Sequence, residues 1–144
     1  MFCVDTNVLL YALNPDVGEH QACWRLLERL RAQRAPWFTT WGILYEVLRV
    51  STHPRVFTEP LAPSKAWSFV ESILASPGLQ ILTHTERHAA VAAEVLKDAD
   101  VRGNAYFDAQ VAVLMREHGV SRILTRDVGF HRFRFLDVID PLVA

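Results

Sequence analysis

Apolar residues along this chain fall into two alternating rhythms, short runs of three or four residues and longer stretches with a helical repeat. Phe2-Cys3-Val4 is a short run that stops at Asp5, the pattern of a buried strand whose last residue points out of the sheet edge. A helical pattern follows at once. Over residues 19–34, Cys23, Leu27 and Leu30 recur at helical spacing while Arg25, Glu28, Arg29 and Gln33 take the other faces, which predicts an amphipathic helix ended by Ala35-Pro36. Residues 37–39 read as a second strand, and Thr40 as the cap of a helix over 41–50 that His53-Pro54 stops. Pro54, Pro60 and Pro63 mark a loop, after which Ser64 is expected to cap a helix reaching about Ala75. Beyond the Pro77-Gly78 turn, 79–82 reads as a third strand, and Thr85 is expected to cap an Ala- and Val-rich helix ending near Val101. Gly103 separates it from a helix over 105–118 closed by Gly119; 122–125 is a fourth strand and 136–139 a candidate fifth.

Short apolar strands alternating with helices build a parallel sheet covered on both faces. The expected fold class is therefore α/β, a three-layer arrangement with a central, mostly parallel sheet of four to five short strands flanked by helices. Residues 1–144 are expected to form a single domain. In such folds the ligand crevice lies beyond the carboxyl ends of the strands, and Asp5 and Asp127 each follow the end of a predicted strand.

Composition supports a folded chain and narrows its partners. With 51% apolar and 22% charged residues, the 144-residue chain has the balance of a globular domain, one that buries roughly 70% of the surface exposed when unfolded. A net charge of −1 offers nucleic acid no general attraction, so any such binding must come from local patches. No apolar run approaches the ~20 residues of a bilayer span, and Asp5 stands where a signal peptide carries basic residues, so no membrane association and a cytoplasmic location are expected. Cys3 and Cys23 sit in apolar stretches without a Cys-His spacing, which predicts small buried thiols.

Four acids carry the candidate chemistry, each with a plainer alternative. Asp5, in Val4-Asp5-Thr6-Asn7, can cap the following helix, although Thr6 and Asn7 could do so without a charge. Asp108 opens a helix on which its neighbours three and four residues away are Asn104, Ala105, Val111 and Ala112, none a cation. A carboxylate on that face protonates, finds a cation or binds a metal; its alternative is a first-turn acid favoured by the helix dipole. Glu46 shares a helix face with Gly42 and Arg49, so a Glu46–Arg49 pair at three-residue spacing explains it equally well. Asp127, before Gly129-Phe130, is also a natural turn former. Two carboxylates ~5 Å apart at an effective dielectric of ~20 repel by about 3 kcal/mol, and a divalent cation removes that cost. All-oxygen donors favour Mg²⁺, with Mn²⁺ as the other hard candidate, over zinc.

At these residues the sequence resembles the PIN-domain family, and within it the VapC-like ribonuclease toxins of type II toxin–antitoxin systems. The resemblance spans nearly the whole chain and rests on Val4-Asp5-Thr6-Asn7, Leu44-Tyr45-Glu46-Val47-Leu48-Arg49, Arg102-Gly103-Asn104 leading to Asp108-Ala109, and Leu124-Thr125-Arg126-Asp127 followed by Phe130. It implies a toxin endoribonuclease whose principal Mg²⁺ or Mn²⁺ ligands are Asp5 and Asp108, with Glu46 and Asp127 completing the catalytic set directly or through water. A metal so placed activates water for in-line attack on an RNA phosphodiester, with 5′-phosphate and 3′-hydroxyl products. The chain departs from the family pattern at Val128-Gly129-Phe130, which lacks the second acid of that loop, so a second metal there is in doubt.

Thr6, Asn7, Asn104 and Thr125 are supporting polar residues able to hold water or phosphate. Arg126, Arg132 and Arg134 are candidate RNA phosphate contacts, or alternatively a solvated basic loop. Trp24, Trp37, Trp41 and Trp67 read as core or interface aromatics, and the resemblance implies a VapB-like antitoxin and a homodimer as partners for such a surface. Two other classes stay open: a non-catalytic RNA- or protein-binding module on the same scaffold, and a receiver-type phosphate-signalling domain. The receiver's paired acids and late strand-end Lys are missing here.

Overall fold

The structure, a computed structural model, describes residues 1–143, so Ala144 lies outside the described residues. Five short strands form one sheet: β1 (Cys3–Val4), β2 (Trp37–Thr39), β3 (Leu79–Ile81), β4 (Arg122–Leu124) and β5 (Asp137–Ile139). Their order is β3-β2-β1-β4-β5, and every pairing is parallel. The helices are α1 (Thr6–Leu13), α2 (His20–Ala32), α3 (Trp41–Ser51), α4 (Pro63–Leu74), α5 (His88–Asp98) and α6 (Ala105–Glu117), with a short 3-10 helix at Val128–Arg132.

This order explains the layers. From β1 to β2 to β3 the chain moves toward one edge, then returns across the sheet to β4 and β5. Right-handed crossovers put α1 to α4 on one face and α5 and α6 on the other. The packing follows this division, since α1 meets α2 and α3, α3 meets α4, and α5 meets α6, while α3 also touches α6 across the two layers. The chain leaves β1 and β4 in opposite directions, so the carboxyl ends of these adjacent strands form the switch point where α/β sheets open a crevice. Asp5 extends β1 there, its amide donating to the Leu124 carbonyl at 3.1 Å.

Both faces of the central strands are covered. Cys3, Val4, Trp37 and Ile123 are fully buried against Leu9, Leu27, Leu30, Leu44 and Met115. Helix α6 is buried around most of its circumference, through Ala109, Val111, Ala112, Val113, Leu114 and Met115, as suits a helix packed between a sheet and other elements. Both cysteines are free and buried, and burial pushes both thiols up, Cys23 to about 11.

Two predicted caps are displaced. Helix α4 starts at Pro63, with Ala62 at the cap position, because a proline at the first helical position needs no donor and presets the backbone, so Ser64 caps nothing. Thr85 lies ahead of α5 in a turn, accepting from the Arg87 amide at 3.1 Å, while its own hydroxyl is drawn to Glu117; the helix begins at His88 and ends at Asp98. The predicted Thr40 cap is present, accepting from the Ile43 amide at 3.1 Å, and Gly119 takes the left-handed conformation (φ 71°) that closes α6. Among the described residues no helix is long and apolar enough to cross a membrane.

At Gly78 backbones meet closely: a Cβ there would stand 2.3 Å from the Ala35 carbonyl oxygen, between the lead-ins to β2 and β3. Gly78→Ala should therefore separate these strand entrances and cost about 1–3 kcal/mol, a fall of several degrees in Tm by circular dichroism. An unchanged melt would contradict the packing described.

Candidate active site

The switch point opens into a cleft of about 1170 Å³ whose lining includes Asp5, Glu46, Asp108 and Asp127. Four separate segments supply them: the end of β1, the middle of α3, the first turn of α6 and the loop after β4. Thr6, Asn7 and Asn104 line the same cleft. Thr125 is buried beneath it and bonded to Asp5.

Asp5 is held by a polar bracket. It occupies the cap position of α1 without making a side-chain cap, so the capping alternative fails. Its Oδ2 instead accepts from the Thr125 hydroxyl at 2.8 Å and the Asn7 amide at 3.1 Å. Asn7 also donates to Thr125 at 2.8 Å and accepts from the Arg126 backbone at 3.1 Å, and the Asp127 amide donates to Thr125 at 3.0 Å. Strands β1 and β4 are thus tied together through the side chains that orient the first acid.

The acids feel one another's charge. Burial raises the Asp5 carboxyl to about 6, hydrogen bonds from Thr125 and the Thr6 backbone oppose the rise, and Asp127 and Glu46 add to it. Asp108 rises to about 7 through burial first and then through Asp127 and Asp5; Arg132 offsets this in part, and Glu46 adds a further push. The first-turn dipole does not keep Asp108 in the ordinary carboxylate range, because burial, with repulsion from the other acids added to it, outweighs a helix-end effect of ~1 kcal/mol.

Glu46 fills both roles suggested by its position. It pairs with Arg49 at 2.9 Å, as the three-residue spacing predicts, and it also faces the cleft. Asp127 likewise closes a turn, accepting from the Gly129 amide at 2.8 Å, while lining the cleft. Among the described residues no three Asp, Glu, His or Cys side chains stand close enough to make a ready metal cage. The acids share a cleft without closing into a ligand set.

The three arginines separate. Arg132 lines the cleft, donating to the Gly129 carbonyl at 3.0 Å and the Asp100 carbonyl at 3.3 Å. Arg126 is occupied by Asp140 at 3.1 Å and Glu19 at 3.4 Å, and Arg134 lines a neighbouring pocket. The tryptophans also divide: Trp37 is core, whereas Trp24, Trp41 and Trp67 are each about 40% exposed.

Several lining residues have no place among the site residues expected from sequence, where Trp41 reads only as a core or interface aromatic. Trp41, Tyr45 and Phe107 stand exposed on the cleft wall with His84 and Gln110. Their adjacency to Thr40, Glu46 and Asp108 in sequence was the available clue for the aromatics; His84 had none. Gly129 is the other omission. A Cβ there would lie 3.0 Å from an Asp127 oxygen and 3.3 Å from an Asp108 oxygen, so the bare glycine lets the loop close onto the acids.

Comparison with known proteins identifies the family of the chain. The PIN domain model matches residues 2–136. Ribonuclease VapC43 of Mycobacterium tuberculosis is 40% identical over 142 residues, covering 99% of this chain and 96% of its own, and ribonuclease VapC48 of the same species is 30% identical over 137 residues, covering 95% and 94%. Among solved structures, VapBC2 from Rickettsia felis superposes with a TM-score of 0.67 at 17% identity, covering 96% of both chains. Mycobacterium tuberculosis VapC20, described as a sarcin–ricin loop cleaving toxin, gives 0.66 at 20% identity, covering 91% of this chain and 93% of its own. At those identities the structures speak for the fold alone. With the family model spanning the acid-lined sheet edge and relatives matching end to end, the chain belongs to the PIN-domain family.

Proposed function

We propose that this protein is a metal-dependent endoribonuclease acting as the toxin of a toxin–antitoxin pair, and that it hydrolyses RNA phosphodiester bonds in the cleft of Asp5, Glu46, Asp108 and Asp127. The observation that carries the reading is the convergence of these acids at the sheet's switch point, with Asp5 and Asp108 raised to about 6 and 7 by burial and mutual repulsion. The full-length relatives named as VapC ribonucleases support the reaction class.

The donors fit a hard divalent cation. They are carboxylate oxygens, aided by amide and hydroxyl groups, and Mg²⁺ characteristically keeps several waters while taking only one or two carboxylates, so a closed cage is unnecessary. Asp5 and Asp108 would hold Mg²⁺ or Mn²⁺, with Glu46 and Asp127 completing the set. Bound there, the ion supplies charge that offsets the repulsion, polarises a phosphoryl oxygen and acidifies water. The chain does the rest. Thr125 and Asn7 fix the direction of Asp5, Gly129 lets Asp127 approach Asp108, and a carboxylate left free of the ion, Glu46 or Asp127, would accept a proton.

The reading includes a VapB-like antitoxin, a homodimer and a cytoplasmic location. The exposed rings of Trp24, Trp41, Tyr45, Trp67 and Phe107 are apolar surface that protein partners would cover, and a neighbour of this fold was solved as the VapBC2 complex.

Purified protein should cleave RNA with Mg²⁺ and stop when EDTA is added, and Asp5→Asn and Asp108→Asn should each lower the rate at least about 100-fold while keeping a folded circular-dichroism spectrum. Folded variants that cleave at the original rate would sink the assignment.

A second outcome follows from the raised carboxyls. Asp5 goes from 3.8 to about 6 and Asp108 from 3.8 to about 7, so the folded chain binds these protons more tightly than the unfolded chain. Their ionisation opposes folding above pH 7, and the penalty fades as the pH falls through 7 and 6 toward 4. For Asp5 the shift corresponds to about 3 kcal/mol, with a smaller share from half-exposed Asp108. Metal-free protein should melt several degrees higher at pH 5 than at pH 8, and millimolar Mg²⁺ should narrow the gap by raising the pH 8 value. A metal-free melt that is lower at pH 5 would count against the clustered acids.

A further inference from the structure

Far from the catalytic acids, the C-terminal end of α6 buries a second carboxylate, Glu117, whose side chain is fully shielded. Its partners come from the turn between β3 and α5 and from His88, the first residue of α5. The Thr85 hydroxyl and amide donate to Oε2, and His88 Nδ1 lies 2.6 Å from Oε1, while the Arg87 guanidinium donates to the Glu117 carbonyl. Burial alone would raise this carboxyl, but the hydrogen bonds from Thr85 and His88 hold it down at about 2. His118 Nε2 adds a 2.7 Å contact to the Thr83 carbonyl. A buried charge so fully committed to one exposed turn fixes that turn's conformation.

The turn carries His84 into the cleft. The His84 ring packs 4.2 Å from the ring of His88, and His84 lines the same cavity as the four acids. It follows β3, two strands from β1, so it stands about 10 Å along the sheet edge from the end that carries Asp5. The cleft's other basic side chains are engaged, Arg49 by Glu46 and Arg132 by the Gly129 and Asp100 carbonyls. Among the described residues, neither His84 ring nitrogen makes a protein hydrogen bond, which leaves an uncommitted donor on the wall of an acidic cleft.

We propose that His84 is a substrate-contacting residue that donates to a phosphate oxygen of the RNA strand beside the scissile phosphate, and that Glu117, through His88, is the positioning residue that aims it. This rests on the endoribonuclease reading. A polyanion entering a cleft floored by carboxylates needs donors on its walls, and a contact two strands from Asp5 adds affinity and register without touching the reacting atoms.

The test is steady-state cleavage of a single-stranded oligoribonucleotide with Mg²⁺. His84→Ala should raise KM about tenfold with kcat within about twofold. His84→Asn, which keeps a donor, should recover most of the loss, whereas His84→Phe, which keeps only the ring, should resemble His84→Ala. Glu117→Gln should raise KM in the same way and add nothing in the double variant with His84→Ala, because both act on one contact. If Glu117→Gln does not fold, His88→Leu at its partly exposed position breaks the same link. Unchanged KM in His84→Ala, wild-type behaviour of His84→Phe, or additive effects of the two substitutions would each overturn the proposal. Wild-type protein that cleaves no RNA would overturn the endoribonuclease reading itself, and this proposal with it; a cleaving wild type with an indifferent His84→Ala overturns this proposal alone.

Discussion

Carboxylates repel one another, and this chain gathers four of them around one cleft at the carboxyl edge of a parallel sheet. Burial first, and this repulsion on top of it, raise the carboxyls of Asp5 and Asp108 from 3.8 to about 6 and about 7. Such an arrangement persists only if the scaffold is stiff enough to resist the repulsion. Here the stiffness comes from the ladder between β1 and β4 and from the Asn7–Thr125–Asp5 bracket that spans it. The loop after β4 is drawn in by the same Thr125 hydroxyl, so one small side chain orients an acid from each of two strands.

Helix α6 links the two polar ends of the molecule. Its first turn carries Asp108 into the cleft, its middle is buried among apolar side chains, and its last residue anchors the turn that bears His84. The two carboxylates on this helix have opposite electrostatic fates for a simple reason. Asp108 faces other acids with only partial relief from Arg132, whereas Glu117 is surrounded by donors. A carboxylate's role here is set by what the neighbouring elements present to it.

Much of the architecture was legible in the sequence. Strand-length apolar runs at Phe2-Cys3-Val4 and in residues 122–125, separated by helical repeats, announced a parallel α/β sheet, and the acid after each of those two runs marked its crevice. These features are local: side-chain alternation and helical spacing follow from backbone geometry and need only a few consecutive residues. The caps at Ser64 and Thr85 misled because local preference was outweighed, in one case by the adjacent Pro63 and in the other by a buried acid 32 residues away.

What the sequence by itself determined was the class of fold, the ordered set of acids and the family to which the chain belongs, because each is written in short contiguous motifs. What only the tertiary structure decided was which side chains share the cleft. It brought Arg132 in and tied Arg126 to Asp140 and Glu19, placed Glu46 among the acids although its pairing with Arg49 is local, and set His84 on the wall through Glu117. Those outcomes depend on strand order and helix packing between residues far apart in the chain, and no local spacing encodes them.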